Sequence, residues 1–414
     1  MMKLLIVTQY FHPEMGAPQA RLYELAKRLV CKGHGITVLT AFPNYPAGKL
    51  FPGYRGRLRM VERMEGIQVI RTWIYPSKSA RTFPKLMSYL SFALSSVVLG
   101  CWRLGRQDVV VCESPPLFLV PSGLLIARLT GARSIMNVSD IWPDILVRMG
   151  YAKLGLQLSL MEWLEKFGYE HANAVAVTNP GAARQLKSRF PGIRTTLISN
   201  GVDTKVFRPE LRSQAVRDGF GTGANGFLVS YCGVFGIAQG LEAVIGAANY
   251  LKDAPRIRFA LIGDGPQKEA IVAMAHDKGL KNIHFYDPKP RNEIPAILAS
   301  SDVSLVPLST HLPGTMPSKF YEALASGTPP VVAKGCEAEA LVSEHKVGRT
   351  FEPLDSQELA DVLSEMANDP AHLSEMRNNC LGLSKRFDRD VIAERTEAVL
   401  RAVAEDKELP VVSW

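Results

Sequence analysis

The sequence predicts an α/β protein of two doubly wound, parallel-sheet domains facing across a cleft. Three observations predict it. The chain has 414 residues, more than a single hydrophobic core usually organises. Short apolar runs alternate with longer amphipathic ones through both halves. Between the halves, Ser199-Asn-Gly-Val-Asp-Thr-Lys-Val-Phe-Arg-Pro, ending at Pro209, has the turn chemistry of a linker.

The elements follow in order. In the first half Leu4–Thr8, Ile36–Thr40, Val69–Thr72, Val109–Cys112, Arg133–Asn137 and Ala174–Val177 read as strands. Gln19–Lys32 reads as a helix, with Leu22, Leu25, Ala26 and Leu29 on one face and Gly33 at its end. Ser114-Pro-Pro breaks the chain before a helix over about 117–129, and a longer helix lies near 155–171. In the second half Phe227–Cys232, Arg258–Ile262, Ile283–Phe285, Val303–Pro307 and Pro330–Ala333 read as strands. Helices are expected near 239–251, 266–278, 291–299 and 317–326. A last helical stretch, about 388–405, follows a completed sheet and must pack on something already built.

Composition narrows the function classes. Hydrophobic content of 47% with 21% charged residues describes a well-packed globular chain. The six cysteines are scattered, with no CxxC pair or metal-ligand spacing, and read as reduced cytosolic residues. Met-Met-Lys-Leu-Leu-Ile-Val-Thr passes straight into a strand, without the length or cleavage site of a signal peptide.

Residues 1–205 hold 26 Lys and Arg against 12 Asp and Glu, whereas 206–414 hold 22 against 28. Only the first half is therefore suited to an anionic surface. Its basic residues cluster as Arg55, Arg57, Arg59 and Arg63, then Lys78, Arg81 and Lys85, then Arg103 and Arg106. Between Lys85 and Arg103 runs the uncharged segment 86–102, which suits a helix on an anionic membrane surface or an ordinary buried helix. No aromatic-and-glycine RNA-binding signature accompanies the arginines, so no nucleic-acid partner is expected.

The densest functional signal is Gly-Thr-Met-Pro-Ser-Lys-Phe-Tyr-Glu-Ala-Leu-Ala-Ser-Gly over 314–327. Pro317 and Ser318 open a short helix and Gly327 closes it. Lys319 and Glu322 project from one face of that helix. A lysine beside a helix N-terminus can hold a phosphate, and a carboxylate one turn on can accept from a pair of sugar hydroxyls. The same spacing also describes a solvated Lys–Glu pair. Two glycine loops, Gly233 and Gly236 before Gln239 and then Gly263, follow strands at the same edge of the second domain's sheet and would converge with the Lys319 helix, while Gly16 follows the first strand of the first domain. Asp140 follows a strand and precedes Trp142-Pro143; it is a ligand for a sugar or a local cap. Asp388-Arg-Asp390 has DxD spacing but sits in the late helical segment, as on a solvated face, and no metal site is expected. No GxGxxG follows the first strand, against a dinucleotide enzyme, and no GxxxxGK[ST] or Gly-x-Ser-x-Gly motif is present, against a P-loop nucleotidase and an α/β hydrolase.

On these motifs the chain resembles the family 4 glycosyltransferases of the GT-B fold, two Rossmann-like domains. The resemblance covers essentially the whole length. It rests on Gly16, Ser199-Asn-Gly-Val-Asp, Gly233–Gly240, Gly263-Asp-Gly-Pro, Ser301-Asp-Val and Glu322-Ala-Leu-Ala-Ser-Gly. Gln9-Tyr-Phe-His-Pro-Glu, Phe42-Pro-Asn-Tyr-Pro, Asp140-Ile-Trp-Pro, Gln239-Gly-Leu-Glu and Pro317-Ser-Lys-Phe-Tyr-Glu resemble the bacterial surface-polysaccharide branch, with L-fucosamine and colanic acid transferases. The resemblance implies a retaining, metal-independent hexosyltransferase that uses a nucleotide-diphosphate sugar, UDP favoured, without a resident cofactor. It implies a lipid-linked or saccharide acceptor, a polyprenyl-diphosphate carrier included, and a cytoplasmic, peripheral location at the inner membrane face. It also implies an acceptor domain over 1–205, a donor domain over 206–387 and a segment 388–414 that crosses back.

The family's ribose-binding glutamate falls on Glu322, and its partner glutamate falls on Gly314. The family's arginine and lysine fall on Val234 and Gln239, and its histidine falls close to Asp140. Lys319 is then the expected diphosphate cation. The catalytic candidates are Asp140, Lys319 and Glu322; the donor-binding candidates add Gly16, Gly233, Gly236, Gln239, Gly263 and Ser318. Two other readings stay open. One is a nucleotide-sugar epimerase, with Asp140, Glu14 and His12 as its acid–base groups. The other is a non-catalytic nucleotide-sugar-binding subunit.

Overall fold

Eight strands form the sheet of the first unit, and six that of the second. The structure is a computed structural model that describes all residues except 15, 79–81, 150–154, 224 and 413. Met1–Asn200 with Arg389–Trp414 make the first unit, and Gly201–Asp388 the second. Arg81, counted above in a basic cluster, lies outside the described residues.

The first unit contains β1 (Lys3–Val7), β2 (Gly35–Ala41), β3 (Arg59–Met64), β4 (Ile67–Thr72), β5 (Val109–Ser114), β6 (Arg133–Val138), β7 (Ala174–Val177) and β8 (Thr195–Leu197). Their order is β3-β4-β2-β1-β5-β6-β7-β8, with β3 antiparallel to β4 and the other pairs parallel. The β3 strand was not legible in the sequence because an edge strand tolerates charge, here Arg59, Glu62 and Arg63, and so forms no apolar run.

The helices before the linker that cover the sheet are α1 (Ala17–Cys31), α2 (Thr82–Ser95), α3 (Val120–Thr130), α4 (Asp144–Arg148), α5 (Leu156–His171) and α6 (Pro180–Arg189). Side chains alternate along each strand. Leu4 and Ile6 of β1 join the cluster with Leu22, Ala26 and Leu29 of α1. Leu5 and Val7 join the opposite cluster with Phe92 of α2 and Ile126 of α3. The apolar run read as 86–102 is α2 followed by a π-helical turn, Ser96–Gly100.

The second unit contains β9 (Phe227–Cys232), β10 (Ile257–Ile262), β11 (Ile283–Tyr286), β12 (Val303–Val306), β13 (Pro330–Ala333) and β14 (Arg349–Phe351). All run parallel in the order β11-β10-β9-β12-β13-β14. Its helices are α7 (Gln214–Gly219), α8 (Leu241–Tyr250), α9 (Lys268–Asp277), α10 (Ile294–Ser300), α11 (Ser318–Ala325), α12 (Ala338–His345), α13 (Ser356–Asn368) and α14 (Pro370–Ser384). The strand order reverses between β9 and β12, the point where open sheets of this kind form a crevice.

The linker belongs to the second unit from Gly201. Val202 N donates to Phe387 O at 2.9 Å, and Val202 bridges Asp388. The last helix, α15 (Arg389–Ala404), packs on the first unit. Val399, Leu400 and Val403 enter the cluster of α1, and Asp390 accepts from Arg28 Nε at 2.7 Å. The two aspartates of the DxD spacing therefore have separate structural partners, since Asp388 accepts from the backbone and hydroxyl of Thr204.

Candidate functional site

In the second unit β9 delivers Gly233 to the carboxyl edge of the sheet, and β10 delivers Gly263 beside it. Backbone bonds lock the two loops together. Gly233 N donates to Ile262 O and Phe235 N to Asp264 O, both at 2.9 Å. Gly263 has φ of +150°, and a Cβ there would lie 1.8 Å from Gly233 O. Only glycine fits such a position.

Lys319 reaches this pair of loops from α11. A Cβ on Gly233 would lie 2.3 Å from Lys319 Cε and 2.9 Å from its Nζ. The ammonium donates to Gln239 Oε1 at 3.1 Å and sits 5.0 Å from the Tyr231 ring centroid. Tyr231 is held in turn by donating to Val234 O at 2.6 Å. The lysine amine thus lies at the residue on which the family's own lysine falls, while Val234 points to solvent. Burial pushes the Lys319 ammonium below the usual lysine range, and the nearby Glu322 carboxylate opposes that shift. Glu322 lies one turn further along α11 and is half-buried.

The helix starts differ from the sequence reading in two ways. Pro317 takes the N-cap of α11 and Ser318 is its first helical residue, with no side-chain cap. The amide groups of that first turn are left for another acceptor. Gly236 opens only the 3₁₀ turn Ile237–Gln239, and α8 starts at Leu241 after Gly240. Its anion-holding dipole is therefore that of one turn, a correction to the helix expected from Gln239. A Cβ on Gly236 would meet nothing nearer than 3.8 Å, so that glycine is not sterically required. Near Gly314, where the family has a glutamate, another carboxylate stands: Glu337 Oε1 accepts from Gly314 N at 3.2 Å.

The first unit builds its carboxyl edge from side chains. Gly16 is the N-cap of α1, in extended backbone, with the Gln19 side chain against it. Asp140 follows β6, half-buried, and accepts no hydrogen bond from the described residues. Burial pushes its carboxyl above the usual range, and Arg21 counters this. Arg21 Nη2 donates to Glu113 Oε2 at 2.6 Å and to Ser139 Oγ at 2.8 Å. Asn137 Nδ2 donates to the other Glu113 oxygen at 2.5 Å. The sequence reading missed this network, whose one signal is Glu113 closing an otherwise apolar strand.

Glu14 and His12, the epimerase candidates, both make structural contacts. Glu14 is buried and accepts from Asn44 N, Tyr45 N and Phe11 N at 2.7, 2.8 and 3.2 Å. His12 stacks on Tyr23 with centroids 4.6 Å apart. Asp302, of the Ser301-Asp-Val signature, is also structural, accepting from Arg217 and Arg377 at 2.8 Å and Arg212 at 3.1 Å.

Residues 16–201 match the model of the glycosyl transferase 4-like domain, and 214–381 that of glycosyl transferases group 1. The chain belongs to the family 4 glycosyltransferases. This glycosyltransferase is 28% identical over 359 residues to WcaI of Escherichia coli (strain K12), named as a colanic acid biosynthesis glycosyl transferase, covering 84% of this chain and 86% of that one. It is 27% identical to the glycosyltransferase WbjE of Pseudomonas aeruginosa, over 64% of this chain and 67% of that one. Its fold is that of sucrose-phosphate synthase from Thermosynechococcus elongatus, with a TM-score of 0.79 and 17% identity over 98% of this chain and all of that one. Anabaena HepE, solved with UDP and glucose, matches with a TM-score of 0.71 and 18% identity over 97% of this chain and 100% of that one. Those structures establish the two-domain GT-B fold expected from the sequence.

Proposed function

We propose that this glycosyltransferase moves a sugar, with retention, from a nucleotide-diphosphate donor, UDP favoured, to a lipid-linked or saccharide acceptor in surface-polysaccharide biosynthesis. The observation that carries the reading is the Lys319 ammonium held over the Gly233 loop beside the uncapped start of α11. A diphosphate there would meet one cation and several aligned amide groups, and Glu322 is the group assigned to the ribose hydroxyls.

As the bond from the sugar's anomeric carbon to phosphate oxygen breaks, negative charge grows on the leaving phosphate. Lys319 and the first-turn amides of α11 stabilise that charge more than the ground state. The acceptor oxygen bonds to the same face of the anomeric carbon, and its proton passes to the leaving phosphate. Asp140 is assigned the orientation of a sugar hydroxyl or support for positive charge on the ring. The reading needs no metal, so transfer should persist in EDTA. It places the protein in the cytoplasm at the inner membrane face. The three backbone amides bound by Glu14 weigh against an epimerase base there.

Thermal unfolding with free UDP, GDP, ADP and dTDP tests the donor. A bound nucleotide raises the unfolding temperature by an amount that grows with the logarithm of its concentration over its Kd, so at equal concentrations UDP should give the largest rise. No rise with any of the four would refute the donor site. Nucleotide binding without transfer over a broad acceptor panel would favour the non-catalytic subunit.

A further inference from the structure

The α2–α3–α5 layer carries more exposed apolar surface than its packing on the sheet explains. Phe83, Met87, Leu90, Leu94, Val98 and Trp102 repeat at helical spacing and all face solvent, Phe83 at 71% and Leu94 at 68% exposure. The stripe runs about 22 Å from Phe83 to Val98, counted at 1.5 Å per residue. Leu125 and Leu129 of α3 and Trp163 of α5 add to the same outer layer. The opposite side of α2 is fixed to the sheet. Phe92 is fully buried, and Ser95 Oγ donates to Trp73 O at 2.5 Å. Phe83–Gly100 is long and apolar enough to cross a membrane, at a mean hydropathy of 1.2, but 39% of it is buried in this packing. Spanning would strip Phe92 and Ser95 from the sheet, whereas lying along a surface leaves them in place.

Charge names the occupant. From Gly66 to Gln107 there is no acidic residue. Lys85 and Arg103 flank the stripe and are exposed. Where the layer meets the amino edge of the sheet, a cavity of about 730 Å³ opens between α3 and α5. Arg106, Arg128, Arg133 and His171 line it beside the apolar Leu125 and Phe167. Arg133 pairs with Asp406 at 3.0 Å, and the one acidic lining group, Asp108, accepts from Lys3 N at 2.6 Å. The guanidinium groups of Arg106 and Arg128 have no hydrogen bond or ion pair with the described residues. A two-fold contact between copies would set these arginines against themselves.

We propose that this layer docks on an anionic bilayer, with the stripe among the acyl chains and a phospholipid phosphate in the cavity at Arg106 and Arg128. The proposal deepens the reading of a lipid-linked acceptor, but does not depend on transfer. A basic rim around an apolar helix face is the combination that binds anionic lipid without spanning it.

Vesicle co-sedimentation tests it, with phosphatidylglycerol in phosphatidylcholine against phosphatidylcholine alone. The wild type should bind the anionic vesicles and release in high salt. Arg106→Ala and Arg128→Ala should each weaken binding about five-fold. Leu90→Asp with Leu94→Asp should weaken it on the order of ten-fold or more. The substituted sites are exposed, and wild-type circular dichroism and melting temperature show that a variant is folded. No binding at low salt, or equal binding by the Leu90/Leu94 variant, overturns the proposal. So does a wild-type dimer that this variant dissociates, which makes the layer a self-association surface. Vesicle binding by a protein that no nucleotide stabilises would sink the donor reading and leave this one standing.

Discussion

The two sheet edges that carry the candidate site residues are built in opposite ways. In the second unit the edge is main chain, with Gly263 so close to Gly233 O that it accepts no Cβ, and one lysine laid across Gly233. In the first unit the edge is side chains, with Glu113 gathering Arg21, Asn137 and Ser139 below Asp140. Under the proposed function, a backbone cradle suits the group that would be the same in every donor, the diphosphate. A side-chain network can be retuned residue by residue, which suits whatever differs between substrates. The first should therefore fail abruptly on substitution and the second by degrees.

Gly263→Ala is the sharpest test of that contrast. The new Cβ would sit 1.8 Å from Gly233 O at a φ of +150°, and no rotamer relieves a clash with backbone. We expect a loss of about 4 kcal/mol in the second unit's stability, from strain and steric overlap together. Urea unfolding followed by a probe in that unit measures it. A variant with the wild-type midpoint would show that the loops are not locked. Gly236→Ala is the control, with its nearest neighbour 3.8 Å away. Next in size is Lys319→Ala, which should cost about 3 kcal/mol in transition-state stabilisation, roughly a hundred-fold in kcat/KM, with the fold retained. Full activity would remove Lys319 from the mechanism.

Much of the backbone edge was legible in the sequence, because glycine after a strand and proline before a helix are local signals with local causes. Gly233, Gly263 and the 318–325 helix could be read from spacing alone. What spacing could not give is that Lys319 reaches Gln239, 80 positions away, because that contact depends on the reversal of strand order between β9 and β12. The side-chain edge was mostly hidden. Arg21 and Glu113 lie on an early helix and a middle strand, 92 residues apart, and look like ordinary charged positions until the β1–β5 pairing brings them together. The misplaced start of α8 has a similar origin. Gly240 adopts φ of +55° against Leu308 O, a tertiary contact that moves the start past Gln239.

Glu113→Gln probes the other edge. It keeps the shape and an acceptor for Arg21 or Asn137, but leaves a nine-tenths buried guanidinium without its counter-charge. About 2 kcal/mol of stability should go, less than for Gly263→Ala, because the network can shift. UDP should still stabilise this variant as it does the wild type. Loss of nucleotide binding would mean that the two edges are not separable and would break the comparison.

The smallest effect is the most diagnostic of what Lys319 is for. Burial lowers its folded-state pKa below the ordinary value of 10.5, so without ligand the folded state holds this proton less tightly than the unfolded chain. Between the lowered value and 10.5 the unfolded state binds more protons, and stability rises with pH. At neutral pH the protein carries the full cost of a charged, partly desolvated amine. Lys319→Met, which keeps the packing and removes the charge, should melt at or slightly above the wild-type temperature at pH 7. That advantage should shrink as pH climbs through the lowered pKa towards 10.5. With saturating UDP the order should reverse, because the diphosphate needs the cation that the empty site tolerates. Melting curves with and without UDP across that range check both signs. If Lys319→Met is clearly less stable than wild type without nucleotide at pH 7, the contacts to Gln239 and Glu322 outweigh the burial, and the lysine holds the loops together instead of waiting for a phosphate.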